Sequence, residues 1–184
     1  MCIKICRNFG ESARRLGVIS AMEKSVIIDN GSIKANVLLP GWGYDRSRYD
    51  WGGMVEQVWH KGHTFLSKER NSSGGAGLGG VGLVNVFEWC DTALYDSASV
   101  ADYFPLPGVG LLKKTDTSPF QFTKDYPTVP FEHVVETGED FVKIRTLPHL
   151  CCGVAMDMEK LYTLEGNTLH MDITVKNVGP KAIH

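Results

Sequence analysis

The chain has 184 residues, of which 43% are hydrophobic and 22% are charged, and its formal net charge is −2. This composition is typical of a globular protein with one sizeable core, and the charge gives no electrostatic argument for nucleic acid or an anionic membrane. No apolar run approaches the roughly 18–20 residues that cross a bilayer. We therefore expect neither a nucleic-acid partner nor a membrane partner.

The first 20 residues are basic, but they lack the continuous apolar segment and small-residue cleavage site of a secretory signal. We expect residues 1–22 to be a poorly structured lead-in and residues 23–184 to form one domain. Five cysteines without a secretion signal favour reduced thiols, and hence a cytoplasmic location.

The first predicted element is a β-hairpin. Asn30-Gly31-Ser32 is a common hairpin turn, and it separates a β-rich run at 24–29 from an alternating run at 33–39 that Pro40-Gly41 ends. Residues 54–66 predict two more short strands around Lys61-Gly62. The remaining predicted strands are 82–88, 109–113, 131–136, 140–146, 153–164 and 168–176.

The last two runs form the clearest hairpin. Between residues 168 and 176, apolar and polar side chains alternate with the period of a half-buried strand, and Glu165-Gly166-Asn167 supplies the turn. No long amphipathic helix is predicted. Short strands separated by Gly, Pro and Asp favour an all-β fold, and we predict an antiparallel β-sandwich.

Three short motifs predict no cofactor and no metal. Residues 77–82 match G-x-G-x-x-G, but a dinucleotide site needs a preceding strand and a following helix, and neither is predicted here. Cys151-Cys152 lacks a companion pair at zinc-site spacing; on a strand the two would point to opposite faces, as small buried residues. His60 and His63 flank a turn without a convincing third ligand, and we interpret them as solvated.

Residues 41–53, called the aromatic loop below, are the strongest candidate for function. The loop contains the run "GYDRSRYDWGG", in which aromatic and charged residues lie together between two predicted strands. Aromatic faces stack on the C–H faces of sugars, while Arg and Asp form directional hydrogen bonds to hydroxyl groups. The alternative is a charged surface loop whose aromatic residues cover one end of the sandwich.

Several segments, in order, resemble the galactose mutarotase-like (aldose 1-epimerase-related) family. The segment "SIKANVLLPGWGYDRSRYDWGGMVEQVWHKGHTFL" resembles the family's opening strands, its Arg-aromatic-Asp-Trp segment and its "KGHxF" turn. "GLVNVFEWCDTALYD" followed by "PLPGVGLLKK" resembles its middle. "LYTLEGNTLHMDITVKNVGPKAI" is similar to a hairpin whose second strand ends in Asn-x-Gly. The resemblance covers roughly residues 24–184.

The resemblance implies part of a β-supersandwich that acts on, or binds, the anomeric centre of a monosaccharide or sugar derivative. It places the general acid histidine and the general base glutamate beyond His184, so we expect a fragment that is inactive alone, with no catalytic residue of its own. Epimerisation needs an acid and a base on opposite sides of the anomeric centre. The candidate sugar contacts are Arg48, Asp50, Trp51, His170 and Asp172.

Two alternative functions remain open, and the predicted final hairpin has a consequence for self-association. The alternatives to an epimerase-like fragment are a non-catalytic carbohydrate-binding module and a structural β-sandwich whose aromatic loop is an interaction surface. If the last two strands normally pair with strands outside this sequence, they leave an exposed sheet edge. We therefore expect self-association through exposed sheet edges.

Overall fold

The computed structural model describes residues 23–68, 79–87 and 92–182, in which antiparallel strands form three sheets. The elements are β1 (Ser25–Asp29), β2 (Ile33–Leu38), β3 (Met54–His60), β4 (His63–Thr64), α1 (Ala93–Ser97), β5 (Tyr103–Leu106), β6 (Gly110–Lys113), β7 (Thr128–Pro130), β8 (His133–Thr137), β9 (Phe141–Thr146), β10 (Met156–Glu165) and β11 (Thr168–Asn177).

The first sheet has the order β1-β2-β3-β4. The turn between β1 and β2 forms as predicted: Asn30 Oδ1 accepts hydrogen bonds from the amides of Ser32 at 3.0 Å and Ile33 at 2.9 Å. Gly31 has φ 81°, which glycine adopts without the steric cost of a Cβ. The predicted hairpin across Lys61-Gly62 also forms, as β3 and β4.

The second sheet has the order β11-β10-β9-β8. Its longest ladder joins β10 to β11, from Met156 opposite Asn177 to Glu165 opposite Thr168, with the turn at Gly166-Asn167. In β10 the even-numbered residues are buried and face the core, and they include Lys160 as well as apolar residues. The predicted final hairpin is therefore confirmed.

These two sheets enclose the main core. Buried residues from the first sheet, including Ile28, Ala35 and Val55, belong to the same cluster as Val142, Ile144 and Tyr162 of the second. Apolar faces buried between antiparallel sheets are the basis of a β-sandwich. The all-β prediction is thus confirmed.

A third, smaller sheet has the order β5-β6-β7. The sequence predicted only its middle strand, because Pro105 lies in β5 and Pro130 in β7, and proline normally argues against a strand. Both prolines lie in edge strands, where the missing amide donor is tolerated. Short helix α1 was also not predicted.

The strand predicted at 82–88 is wrong over the residues that are described. Within it, Leu83 forms an isolated bridge with Val55, and Val81, just before it, forms another with Lys68. Gly82 has φ 65°, and an added Cβ would lie 2.0 Å from the carbonyl oxygen of Val55. The backbone therefore crosses closely over β3 instead of continuing a regular ladder.

Some predictions lie outside the described residues. They are the lead-in at 1–22 with its two cysteines, and most of the glycine-rich stretch at 71–82. Among the described helices, none is long and apolar enough to span a membrane.

Candidate functional site

A cleft of about 310 Å³ opens where the aromatic loop meets the segment before β7. Its lining residues are Asp45, Trp51, Asp125, Tyr126, Pro127 and Thr128. Trp51 is partly exposed, whereas Tyr126 is buried in the wall. The cleft is at the small end of the range for ligand sites, which is about 300–1,000 Å³.

Hydrogen bonds to the backbone fix Trp51 at this cleft. Its indole Nε1 donates to the carbonyl of Arg46 at 2.7 Å, and its backbone amide donates to the carbonyl of Gly108 at 2.8 Å. With its indole donor occupied inside the loop, Trp51 contributes chiefly an aromatic surface to the cleft.

Ser47 joins the two walls of the cleft. Its hydroxyl donates to the carbonyl of Lys124 at 3.0 Å and accepts from the amide of Tyr126 at 3.0 Å. Its amide donates to Asp125 Oδ1 at 3.3 Å. Because Ser47 is only 3% exposed, these bonds lie largely out of water and hold the aromatic loop against the segment before β7.

The wall behind the cleft is a cluster of aromatic rings. The rings of Phe120 and Tyr126 are stacked, with centroids 5.7 Å apart, and Phe104 meets both edge-on. The Tyr126 hydroxyl accepts from the amide of Gln121 at 3.1 Å, and burial raises the pKa of this tyrosine to about 12. Tyr126 is therefore a neutral, fixed part of the wall.

A buried ion pair anchors the end of the aromatic loop to β10. Lys160 Nζ donates to Asp50 Oδ2 at 2.5 Å and to the carbonyl of Gly53 at 3.2 Å, and the amide of Gly52 donates to Asp50 Oδ1 at 2.6 Å. Asp50 is 1% exposed and Lys160 is 3% exposed. Burial raises the pKa of Asp50 and lowers that of Lys160, while the attraction between them opposes both shifts.

The five predicted sugar contacts do not converge. Trp51 lines the cleft, but Asp50 is engaged by Lys160 and contributes to the support of the loop. The Arg48 guanidinium lies over the rings of Tyr49 and Phe122, at 5.1 and 5.7 Å from their centroids. Its buried Nε has no hydrogen-bond partner among the described residues.

His170 and Asp172 lie elsewhere on the second sheet. They pair with odd-numbered residues of β10, whereas Lys160, which holds Asp50, is on the even-numbered face. Because side chains alternate across a strand, His170 and Asp172 are on the face opposite the ion pair. They are exposed, and neither lines the cleft.

Three residues of the cleft were not among the predicted contacts although they carry suitable chemistry. Asp45 lies in the predicted aromatic loop, while Asp125 and Tyr126 lie more than 70 positions later, in a segment for which no element was predicted. The local signal was the sequence Asp-Tyr-Pro, which combines an acceptor, an aromatic ring and a turn residue.

The adjacent cysteines differ from their predicted arrangement. Cys151 and Cys152 lie in a turn rather than on a strand, and Cys152 has φ 53°. Their sulfur atoms therefore lie on the same side, 3.7 Å apart, and both donate to the carbonyl of Tyr103 at 3.6 Å. Both are partly exposed, and burial raises the pKa of Cys151 to about 11.

The histidines at the β3–β4 turn face each other across the ladder. His63 is exposed, and His60 Nδ1 lies 3.0 Å from the carbonyl of Ser32. Within the described ranges, no group of three or more His, Cys, Asp or Glu side chains could hold a metal ion.

We expect the stability of the protein to depend on pH because of His133, a largely buried histidine of β8. Burial, together with the charge of Lys160, lowers its pKa from 6.5 to about 4. Protons therefore bind the unfolded chain more readily, and the free energy of unfolding should fall as pH decreases from about 6.5 to about 4. We expect a loss of about 2 kcal/mol, less than the full shift implies because His133 is partly exposed.

Urea unfolding at a series of pH values, on the native chain and on His133→Gln, measures this effect. Glutamine keeps a polar side chain but does not titrate, so the variant should lose less stability over this interval. Parallel losses in the two proteins would show that other groups cause the acid sensitivity.

A scan against protein-family models finds no match, and searches of curated proteins and of solved structures find no similar protein. The case for function therefore depends on the site itself.

Proposed function

We propose that the chain is a carbohydrate-binding β-sandwich of the galactose mutarotase-like type, and that its cleft binds a neutral monosaccharide. The observation that carries the proposal is the lining: a partly exposed Trp51 beside the exposed carboxylates of Asp45 and Asp125. An indole surface packs against the C–H face of a pyranose, and carboxylates accept hydrogen bonds from sugar hydroxyls.

The charge of the lining favours a neutral sugar over a phosphorylated one. Two carboxylates line the cleft, and no Lys or Arg does so among the described residues. A phosphate group would be repelled by these charges without a basic partner to bind it. The proposed ligand class is therefore an aldose without phosphate.

The proposal assigns binding, not epimerisation, to this cleft. Asp45 and Asp125 are the ionisable residues of its described lining, apart from the buried Tyr126, and the lining contains neither histidine nor glutamate. We expect no acceleration of glucose mutarotation in a polarimeter; an enzyme-dependent increase in rate would contradict this assignment.

Calorimetric titration with galactose, glucose and glucose 6-phosphate tests the binding proposal. We expect binding of one or both neutral sugars at roughly millimolar affinity, since the cleft is small and its two carboxylates are exposed to solvent. The phosphate ester should bind more weakly. Asp45→Asn should weaken binding about tenfold, because it removes a charged acceptor worth about 1.5 kcal/mol.

Tryptophan variants provide a matched pair. Trp51→Phe should weaken binding because it reduces the aromatic surface and removes the bond to Arg46. Trp42→Phe should not, because Trp42 is outside the cleft lining and 41% exposed. Absence of heat with every sugar, or equal effects of the two variants, would contradict the proposal and favour an interaction surface.

A further inference from the structure

Strand β11 has an outer edge that is unpaired within the described ranges. It is the terminal strand in the order β11-β10-β9-β8, and it is ten residues long. The described residues that follow β11 do not cover this edge: they turn back towards β10, where the amide of Lys181 donates to the carbonyl of Gly153 at 2.9 Å. A long exposed edge is a template for another strand.

The backbone hydrogen bonds determine which residues face this edge. The amide of Val178 donates to the carbonyl of Ala155, next to the last pair of the β10–β11 ladder, at 2.9 Å. Amides and carbonyls of neighbouring residues point to opposite sides of a strand, so even-numbered residues of β11 bond to β10. The odd-numbered residues, among them Ile173 and Val175, point their backbone amides and carbonyls towards the outer edge, where no described strand pairs with them.

The side chains near the end of β11 differ on its two faces. Ile173 is 36% exposed and Val175 is 47% exposed. They are on the same face of β11 as Leu169 and Met171, which lie nearer the turn and pack against the core. Asp172 and Lys176 lie on the other face. Lys176 is opposite Asp157 of β10, whose carboxylate binds Arg145 of β9 at 2.6 Å.

We infer that β11 pairs with β11 of a second copy of this chain, antiparallel, about a two-fold axis through Thr174. In that register Asp172 of each copy lies opposite Lys176 of the other, and Ile173 lies opposite Val175. The two-fold axis therefore forms the Asp172–Lys176 pair twice on one face and the Ile173–Val175 pair twice on the other, as a symmetric interface requires. Asp172 has no ion-pair partner within the described residues, so the second copy supplies one.

Neighbouring registers fit less well. An axis through Asp172 places like charges in contact, and an axis through Ile173 places Asp172 opposite Thr174. An axis through Val175 places Asp172 opposite Val178. In the Thr174 register, the Asp172–Lys176 pairs are of the type without mutual backbone bonds, whose Cα atoms are closest, about 4.5 Å apart.

The charges also extend across the interface as a series. Arg145, Asp157 and Lys176 occupy three adjacent strands on one face, with alternating signs, and Lys176 helps to lower the pKa of Asp157. Asp172 of the second copy is the fourth member. The dimer therefore contains a continuous sheet of eight strands, four from each chain.

Charge reversal at the interface tests the inference by sedimentation velocity, from micromolar to millimolar protein. The native chain should show a monomer–dimer equilibrium. Asp172→Lys and Lys176→Asp should each raise the dissociation constant roughly tenfold or more, because each creates two like-charge contacts. Asp140→Lys makes the same charge change at an exposed position outside β11 and should have little effect.

A mixture of the two single variants is the decisive sample. In the Thr174 register the mixed dimer pairs two lysines of one chain with two aspartates of the other, so mixing should restore dimerisation. A native chain that is monomeric throughout, single variants that dimerise like the native chain, or a mixture that stays monomeric would each overturn the inference.

Discussion

Replacing Lys160 with methionine should lower the free energy of unfolding by about 3–5 kcal/mol, because it leaves the carboxylate of Asp50 buried without its partner. Asp50 is 1% exposed, so water cannot take the place of the ammonium group without opening the core. The midpoint of thermal unfolding should fall by roughly 6–20 °C. Calorimetry or circular dichroism measures the shift.

A double-mutant cycle separates the ion pair from other effects of the substitution. The double variant Asp50→Asn, Lys160→Met should lose less free energy of unfolding than the sum of the two single losses, because it buries no unpaired charge. Lys34→Met serves as the surface control. Lys34 Nζ lies 3.0 Å from Asp29 Oδ2, but both side chains are 44% exposed, so this ion pair should contribute less than about 1 kcal/mol to stability. Additive losses at Asp50 and Lys160 would refute the coupling.

Gly108→Ala should destabilise the protein by about 2–5 kcal/mol, through backbone strain and overpacking together. Gly108 has φ 70°, and an added Cβ would lie 2.6 Å from Cγ of Asp50. The carboxylate cannot easily move aside, because Lys160 and the amide of Gly52 hold it. Chemical unfolding curves of the variant and the native chain give the loss.

Gly31→Ala is the matched control for backbone strain. Its φ is 81°, but an added Cβ would meet no atom within 4 Å, so only the conformational cost of about 1–2 kcal/mol applies. Gly108→Ala should also alter Trp51 fluorescence, because the carbonyl of Gly108 accepts a hydrogen bond from the amide of Trp51. Equal losses in the two variants would mean that contact with Asp50 contributes nothing.

The hairpins were predictable from sequence because their signals are local. Asn30-Gly31 and Gly166-Asn167 lie between alternating runs, and turn geometry sets the register of the strands beside them. Strands β5 and β7 were missed because Pro105 and Pro130 are tolerated only at sheet edges, and edge position is a property of the assembled sheet.

The site was only partly predictable because its contacts are distant in sequence. Asp50 reads as a surface acceptor within a charged loop, yet its partner Lys160 is 110 positions away. One signal was present: Lys160 occupies a core-facing position in the alternation of β10, between Met158 and Tyr162. A lysine at such a position needs a buried partner, but the sequence does not say which carboxylate supplies it.

Different residues of the aromatic loop hold the loop in place and line the cleft. Asp50 anchors the end of the loop, and Ser47 joins its middle to the segment before β7. Trp51, directly after Asp50, lines the cleft. A binding surface fixed by buried polar bonds loses little conformational entropy when it meets a ligand. We propose that this fixed cleft holds a pyranose against Trp51.

The most direct test is a titration of the native, nitrogen-15-labelled chain with galactose or glucose, following the indole N–H signals by NMR. Trp42→Phe and Trp51→Phe assign the signals of these two residues. We expect the Trp51 signal to shift with a saturable dependence on sugar concentration while the Trp42 signal stays in place. A Trp51 signal that does not move at saturating sugar, or that moves only together with Trp42, would contradict it.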